Sequence, residues 1–155
     1  MAGEPKLLIP RMALVEIDEA AIKASRCTPA REVCGFLIGH AQRNHYRVSF
    51  GLTVNNSVKF NPGNRYQIDA RTYTETERLL GLRSLQIVGI FHSHPGTHAE
   101  PSHLDRDYFF PGWVYLIVGL MPGGLMEHRA FEKRVSPTER IVEVGIQSAN
   151  LEATV

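Results

Sequence analysis

Two short apolar segments of the sequence restrict the fold most strongly. Residues 87–91 read Ile-Val-Gly-Ile-Phe and residues 114–120 read Val-Tyr-Leu-Ile-Val-Gly-Leu, with no charged side chain in either segment. Short apolar runs that are rich in β-branched and aromatic residues are typical of strands covered on both faces. We therefore predict two buried strands of a sheet, around which the remaining elements pack.

Helices are predicted in three places between and beside these strands. Apolar residues recur at helical spacing in residues 17–26 and 70–82, and a short helix is predicted over residues 102–109. The apolar face of the second helix is predicted from four residues, Tyr73, Leu79, Leu80 and Leu82.

Further strands complete an α/β pattern with a mixed sheet. They are predicted over residues 34–39, 46–52, 125–133 and 140–146. The expected organisation is a single domain over residues 1–146, followed by a flexible C-terminal tail over residues 147–155.

The composition limits the partners and the compartment of the protein. The 17 basic and 16 acidic residues give a net charge of +1, so neither nucleic acid nor an anionic membrane is expected as a partner. The N-terminal apolar patch Leu7-Leu8-Ile9 is shorter than a signal-peptide core, and the apolar stretch 113–121 is too short to cross a bilayer. Cys27 and Cys34 form no disulfide pattern, so we expect a cytoplasmic protein with reduced thiols.

Histidines cluster after the first buried strand. His92-Ser93-His94 follows residues 87–91 directly, and residues two apart on a strand point to the same face. Asp105 lies in the next predicted helix, eleven positions after His94. Two imidazoles and one carboxylate are ligands that zinc accepts, and three protein ligands leave a fourth position for water. The pattern therefore predicts a catalytic metal site.

Each half of this pattern also has an ordinary structural explanation. A His-x-His pair at a strand end is common polar chemistry without a metal. Ser102-x-x-Asp105 is a helix capping box, which satisfies free amides of the first turn. The combination of both halves is much rarer than either one, and it favours the metal site.

Together with Glu32, sixty residues upstream of His92, these residues resemble the signature of the JAMM (MPN+) metalloproteases. The sequence Glu32-x-Cys34-Gly35 is similar to the small stand-alone prokaryotic members. The resemblance implies an MPN fold, in which a curved mixed sheet is flanked by helices in a cytidine-deaminase-like three-layer architecture. It also implies one catalytic Zn²⁺ ion held by His92, His94 and Asp105.

The same resemblance implies a reaction and the residues that perform it. The expected activity is hydrolysis of a peptide or isopeptide bond after the C-terminal Gly-Gly of a ubiquitin-like or sulfur-carrier protein. Glu32 matches the general base and Ser102 matches the donor that stabilises the oxyanion. Only eight residues separate Asp105 from Val114, so the second insertion of deubiquitinating relatives is missing and strong lysine-linkage selectivity is not expected.

Other functions stay open at this stage. One alternative is a non-catalytic MPN-type scaffold, and another is a DNA-repair-associated relative with a similar zinc motif. A third is a cysteine nucleophile, Cys34, paired with His92 or His94. His98 and His103 match no ligand of the family and are expected at the rim of the site. The sequence makes no prediction of the oligomeric state.

Overall fold

The computed structural model describes residues 3–43 and 45–149. This part of the chain forms seven strands and three helices. They are β1 (Lys6–Pro10), α1 (Arg11–Ser25), β2 (Cys34–Gln42), β3 (His45–Val54), α2 (Ala70–Gly81), β4 (Gln86–Pro95), α3 (His103–Tyr108), β5 (Val114–Leu120), β6 (Met126–Arg134) and β7 (Arg140–Ala149).

The strands form one closed sheet in the order β1-β3-β2-β4-β5-β6-β7, in which β7 pairs with β1. β1 is parallel to β3 and β7, and β4 is parallel to β5, whereas the other neighbours are antiparallel. The predicted mixed sheet is therefore confirmed. The expected three-layer architecture stays a prediction, because closure of the sheet does not by itself define three layers.

Helix α1 packs on the sheet through small and branched side chains. Ala13, Ile17 and Ala21 are spaced four residues apart and are buried. Gly51 of β3 lies beneath Ile17, where an added Cβ would come within 3.1 Å of its Cδ1 atom. The helix begins at Arg11, six residues before the predicted start at residue 17. The sequence did not reveal this first part because Ala13, its first buried residue, carries little hydrophobic signal.

Helix α2 has the predicted position but a different buried face. Leu79 and Leu82 are 55% and 78% exposed, whereas Thr76 and Leu80 are buried. The Thr76 hydroxyl donates to the Thr72 carbonyl at 2.7 Å, so its polar group is satisfied when the side chain is buried. The assignment of Leu79 and Leu82 to the buried face was therefore wrong, although Leu80 and the partly buried Tyr73 do pack against the core.

Strands β1 and β7 account for the main differences from the prediction. Leu7 and Ile9 are fully buried in β1, a strand that the sequence did not predict. β7 continues to Ala149 and pairs with β1 over residues 147–149, so the first three residues of the predicted flexible tail are strand. Residues 150–155 of that tail lie outside the described residues, and the single-domain assignment stays a prediction. None of the helices described here is long and apolar enough to cross a membrane.

Candidate metal centre

Strand β4 carries both histidines of the motif. The strand runs to Pro95, so His92 and His94 lie inside it and pair in parallel register with Ile117 and Gly119 of β5. Ser93, between them, points away and accepts a hydrogen bond from the Val33 amide at 2.9 Å, while its own amide donates to the Val33 carbonyl at 3.0 Å. These two bonds fix the residue after Glu32 against β4.

Helix α3 supplies the carboxylate. The Ser102 Oγ atom accepts from the Asp105 amide at 3.0 Å, and Asp105 Oδ2 accepts from the Ser102 amide at 2.9 Å. The capping box proposed as an ordinary explanation is therefore present. It holds Asp105 at the start of the helix with its side chain turned toward β4, so the cap and the metal site do not exclude each other.

Three ligand atoms converge at this point. His92 Nε2 and His94 Nε2 are 3.1 Å apart, and each lies 3.2 Å from Asp105 Oδ2. All three residues are buried, and they form a group of metal-ligating type. A tetrahedral ion with bonds of about 2.0 Å holds its ligand atoms about 3.3 Å apart. The triangle therefore fits the face that three protein ligands present to one such ion.

Burial and mutual contacts shift the pKa values of all three groups in this triangle. Despite its burial, hydrogen bonds from His92 and His94 hold the pKa of Asp105 well below its usual range. Burial lowers the pKa of His92. Burial also opposes protonation of His94, but Asp105, the His98 carbonyl and Glu32 outweigh it and raise the pKa of His94. The site thus holds an ionised carboxylate between two imidazoles in a buried position.

Glu32 lies beside the triangle and is 4% exposed. Its Oε1 atom is 3.9 Å from His94 Nε2, and its Oε2 atom is buried without a hydrogen-bond partner among the described residues. Burial raises the pKa of Glu32 to about 8, opposed by His94 and assisted by the charge of Asp105. A buried carboxyl with a free oxygen is suited to take up and release a proton.

Asn56 fixes the backbone around Glu32, and sequence reasoning missed it. Its Nδ2 atom donates to the Glu32 carbonyl at 3.1 Å and to the Arg65 carbonyl at 3.0 Å. Its Oδ1 atom accepts from the amides of Val58 at 3.2 Å and Gln67 at 3.0 Å. No local pattern marks this asparagine, because its partners lie up to 24 residues away.

Tyr66 is a second neighbour that the sequence did not reveal. Its ring stacks on the His92 imidazole with a centroid distance of 4.5 Å and an interplanar angle of 26°. The Nδ1 atom of His92 has no hydrogen-bond partner in the part of the chain described. The orientation of His92 therefore depends on packing against Tyr66 rather than on a second hydrogen bond.

The remaining candidates do not join the triangle. The His98 side chain is 63% exposed and faces Glu127, and His103 is exposed. Cys34 is fully buried, and burial, with Glu32 nearby, raises the pKa of its thiol to about 12. Because the thiolate is the reactive form, this environment disfavours Cys34 as a nucleophile.

A cavity of about 440 Å³ opens beside Asp105. Its lining includes Tyr66, Gln67 and Ile68 of the connection before α2, and Leu104 and Tyr108 of α3. A chain segment lying in this cavity would pass directly by the ligand triangle.

Comparison with known proteins identifies relatives of this chain. The family described as prokaryotic homologs of the JAB domain matches residues 15–132. A protein of Haloferax volcanii named desampylase is 33% identical over 99 residues, which make up 63% of this chain and 68% of that protein.

This chain is also similar to solved structures. A solution structure of a Desulfitobacterium hafniense protein matches with a TM-score of 0.77 at 24% identity, covering 93% of this chain and 92% of that one. A solution structure of a Salinibacter ruber protein matches with a TM-score of 0.64 at 26% identity, covering 96% and 94%.

The matched family range contains Glu32, Ser102 and the three residues of the ligand triangle. The resemblance that the motif indicated is thus confirmed at the level of the family. The chain belongs to the prokaryotic homologues of the JAB domain.

Proposed function

We propose that this protein is a zinc-dependent hydrolase of the JAMM type that cuts a peptide or isopeptide bond after the C-terminal Gly-Gly of a ubiquitin-like or sulfur-carrier protein. The observation that carries the proposal is the buried triangle of His92, His94 and Asp105 with the free carboxyl oxygen of Glu32 beside it. The relative named desampylase supports the substrate class.

The two imidazoles and the carboxylate would hold the metal ion, and this set of nitrogen and oxygen ligands suits zinc. A bound zinc ion supplies Lewis-acid polarisation of a carbonyl and lowers the pKa of water toward neutrality. Its positive charge would also favour the ionised form of Glu32 and so oppose the effect of burial on that carboxyl.

Glu32 moves the proton in this proposal. Its carboxylate accepts a proton from the attacking water and passes it to the leaving amine. General acid–base catalysis of this kind contributes about 10²–10⁴ in rate. The hydrogen bonds from Asn56 to the Glu32 carbonyl and from the Glu32 amide to the Pro62 carbonyl hold the residue in place.

Ser102 stabilises the oxyanion. Its Oγ atom acts as an acceptor in the capping box, which leaves the hydroxyl proton free to be donated elsewhere. The two roles expected for Ser102 are therefore compatible. Loss of one oxyanion donor typically costs about 2.7–4 kcal/mol of transition-state stabilisation.

The proposal extends to the setting of the enzyme. We propose a single domain with the three-layer arrangement of the family, acting in the cytoplasm, where the unpaired Cys27 and Cys34 would stay reduced. The cavity beside Asp105 would receive the C-terminal tail of the substrate.

The test uses a ubiquitin-like carrier protein extended beyond its Gly-Gly, incubated with wild type and with Glu32→Gln. We expect a loss of about 10²-fold or more in kcat for Glu32→Gln while metal binding is retained. Glu75→Gln, on the exposed surface of α2, is the matched control and should cleave normally. Equal cleavage by wild type and Glu32→Gln would refute the assigned base.

Three further measurements separate the alternatives. A wild-type protein that binds no metal and cleaves no carrier would favour the scaffold. Inactivation by iodoacetamide but not by a zinc chelator would favour Cys34 chemistry. Tight, salt-sensitive binding of duplex DNA would favour the DNA-repair-associated alternative.

A further inference from the structure

His94 is oriented differently from His92. Its Nδ1 atom lies 3.0 Å from the carbonyl oxygen of His98, whereas the Nδ1 atom of His92 has no partner among the described residues. In metal sites, a hydrogen bond at the second ring nitrogen fixes the tautomer and the direction of the ligating nitrogen. The position of the His98 carbonyl therefore controls how His94 enters the triangle.

The His98 loop, residues 96–101 between β4 and α3, rests on the backbone of β5 at Gly119. A Cβ atom at Gly119 would lie 2.6 Å from the Ala99 amide nitrogen, 2.7 Å from the Thr97 carbonyl oxygen and 2.8 Å from the His98 carbonyl carbon. All three are backbone atoms, so the loop could not stay in place over any larger residue. Gly119 thus permits the close approach that brings the carbonyl to His94.

Strand β6 holds the same loop from the neighbouring position. Glu127 is the cross-strand partner of Gly119, and its Oε1 atom accepts from the Ala99 amide at 2.9 Å. Two residues further along β6, Arg129 donates to Glu100 at 2.6 Å. Ala99 itself is fully buried. The loop is therefore fixed at two consecutive residues next to the one whose carbonyl orients His94.

We propose that Gly119 and Glu127 form a loop clamp that positions the His98 carbonyl and, through it, the metal-ligating nitrogen of His94. Glu127 is then a positioning residue of the metal centre. Its bonds go to the His98 loop, and it is not among the described residues that line the cavity. The inference rests on the proposed function, because it assigns the clamp to a metal site.

The test compares metal affinity by Co²⁺ titration, followed by the visible absorption of the bound ion. Glu127→Leu removes the acceptor for the Ala99 amide, and Gly119→Ala displaces the loop. For each we expect metal affinity to fall about tenfold or more, as for loss of partners that orient metal ligands. Glu127→Gln keeps an acceptor oxygen and should bind Co²⁺ with an affinity close to that of wild type. Glu139→Leu, which removes an exposed glutamate paired with Lys133, is the matched control.

A second readout does not depend on the metal. In the metal-free protein, the ring N–H of His94 that faces the His98 carbonyl should exchange slowly with solvent in NMR spectra. It should exchange faster in Glu127→Leu and Gly119→Ala, with circular dichroism confirming that both variants fold.

The outcomes separate this inference from the proposed function. If wild type binds Co²⁺ and both folded clamp variants bind it equally well, the clamp is refuted and the metal site stands. If wild type binds no Co²⁺, the proposed function fails. The clamp is then tested by the exchange of the His94 ring N–H in the metal-free protein, and equally slow exchange in wild type and both variants refutes it. Equal losses in Glu127→Gln and Glu127→Leu would also overturn the assignment, because the acceptor oxygen would then not matter.

Discussion

Replacement of Asn56 by alanine should destabilise the fold and disturb the site together. Asn56 lies in the connection between β3 and α2, and its side chain makes four hydrogen bonds. One reaches the Glu32 carbonyl, and three join other residues of the connection. Asn56 is 8% exposed. Alanine would leave two carbonyls and two amides without these partners.

The magnitude follows from the surroundings of the four bonds. An intramolecular hydrogen bond contributes about 0.5–1.5 kcal/mol net, and a buried group left without a partner costs about 1–3 kcal/mol. The bond to the Glu32 carbonyl is buried, whereas the other three are partly buried, so water can replace some of them. We therefore expect a loss of about 2–4 kcal/mol in the free energy of unfolding. For a chain of this size, each kcal/mol lowers the Tm by about 2–4 °C.

Urea unfolding at neutral pH measures this loss, and Asn55→Ala is the matched control. Asn55 is adjacent and exposed, so its replacement should change the free energy of unfolding by no more than about 0.5 kcal/mol. In carrier cleavage, Asn56→Ala should lower kcat more than it raises KM, because Glu32 is no longer held in place. If Asn56→Ala and Asn55→Ala unfold at the same urea concentration, the reasoning is refuted.

Three other predictions concern the ligands and the acid stability of the site. Asp105→Asn should abolish Co²⁺ binding, as seen in a titration, while circular dichroism shows a folded protein, because the amide oxygen can still accept from the Ser102 amide in the cap. Tyr66→Phe should keep the Co²⁺ affinity of wild type, whereas Tyr66→Leu, which removes the ring stacked on His92, should weaken it; equal affinities would show that the stack is not needed. The hydrogen bond from the Ala99 amide lowers the pKa of Glu127 below its usual value of 4.5. This carboxylate therefore stabilises the fold above pH 4.5, and the stabilisation is lost as the pH falls through the lowered pKa of the folded state. Urea unfolding should therefore show a smaller loss of stability on acidification for Glu127→Gln than for wild type.

The ligand triangle was predictable because its parts depend on local rules. Strand alternation places His92 and His94 on one face, and an N-terminal cap fixes where Asp105 leaves its helix. The strands β2 to β6 and helix α2 follow from equally local patterns, and the structure confirms their positions to within a few residues. Glu32 is different, because it lies sixty residues away and only the family resemblance indicated it.

The structure alone decided how distant segments support this centre. Closure of the sheet by β1 and β7 joins segments about 140 residues apart, and no local pattern encodes such a pairing. The same holds for Tyr66 on His92, for Asn56 at Glu32 and for Glu127 at the His98 loop, since each contact joins residues 24 to 28 positions apart. The sequence by itself thus determined which side chains can bind a metal ion. Tertiary packing decided how these side chains are held, because orientation depends on neighbours that only the folded chain brings together.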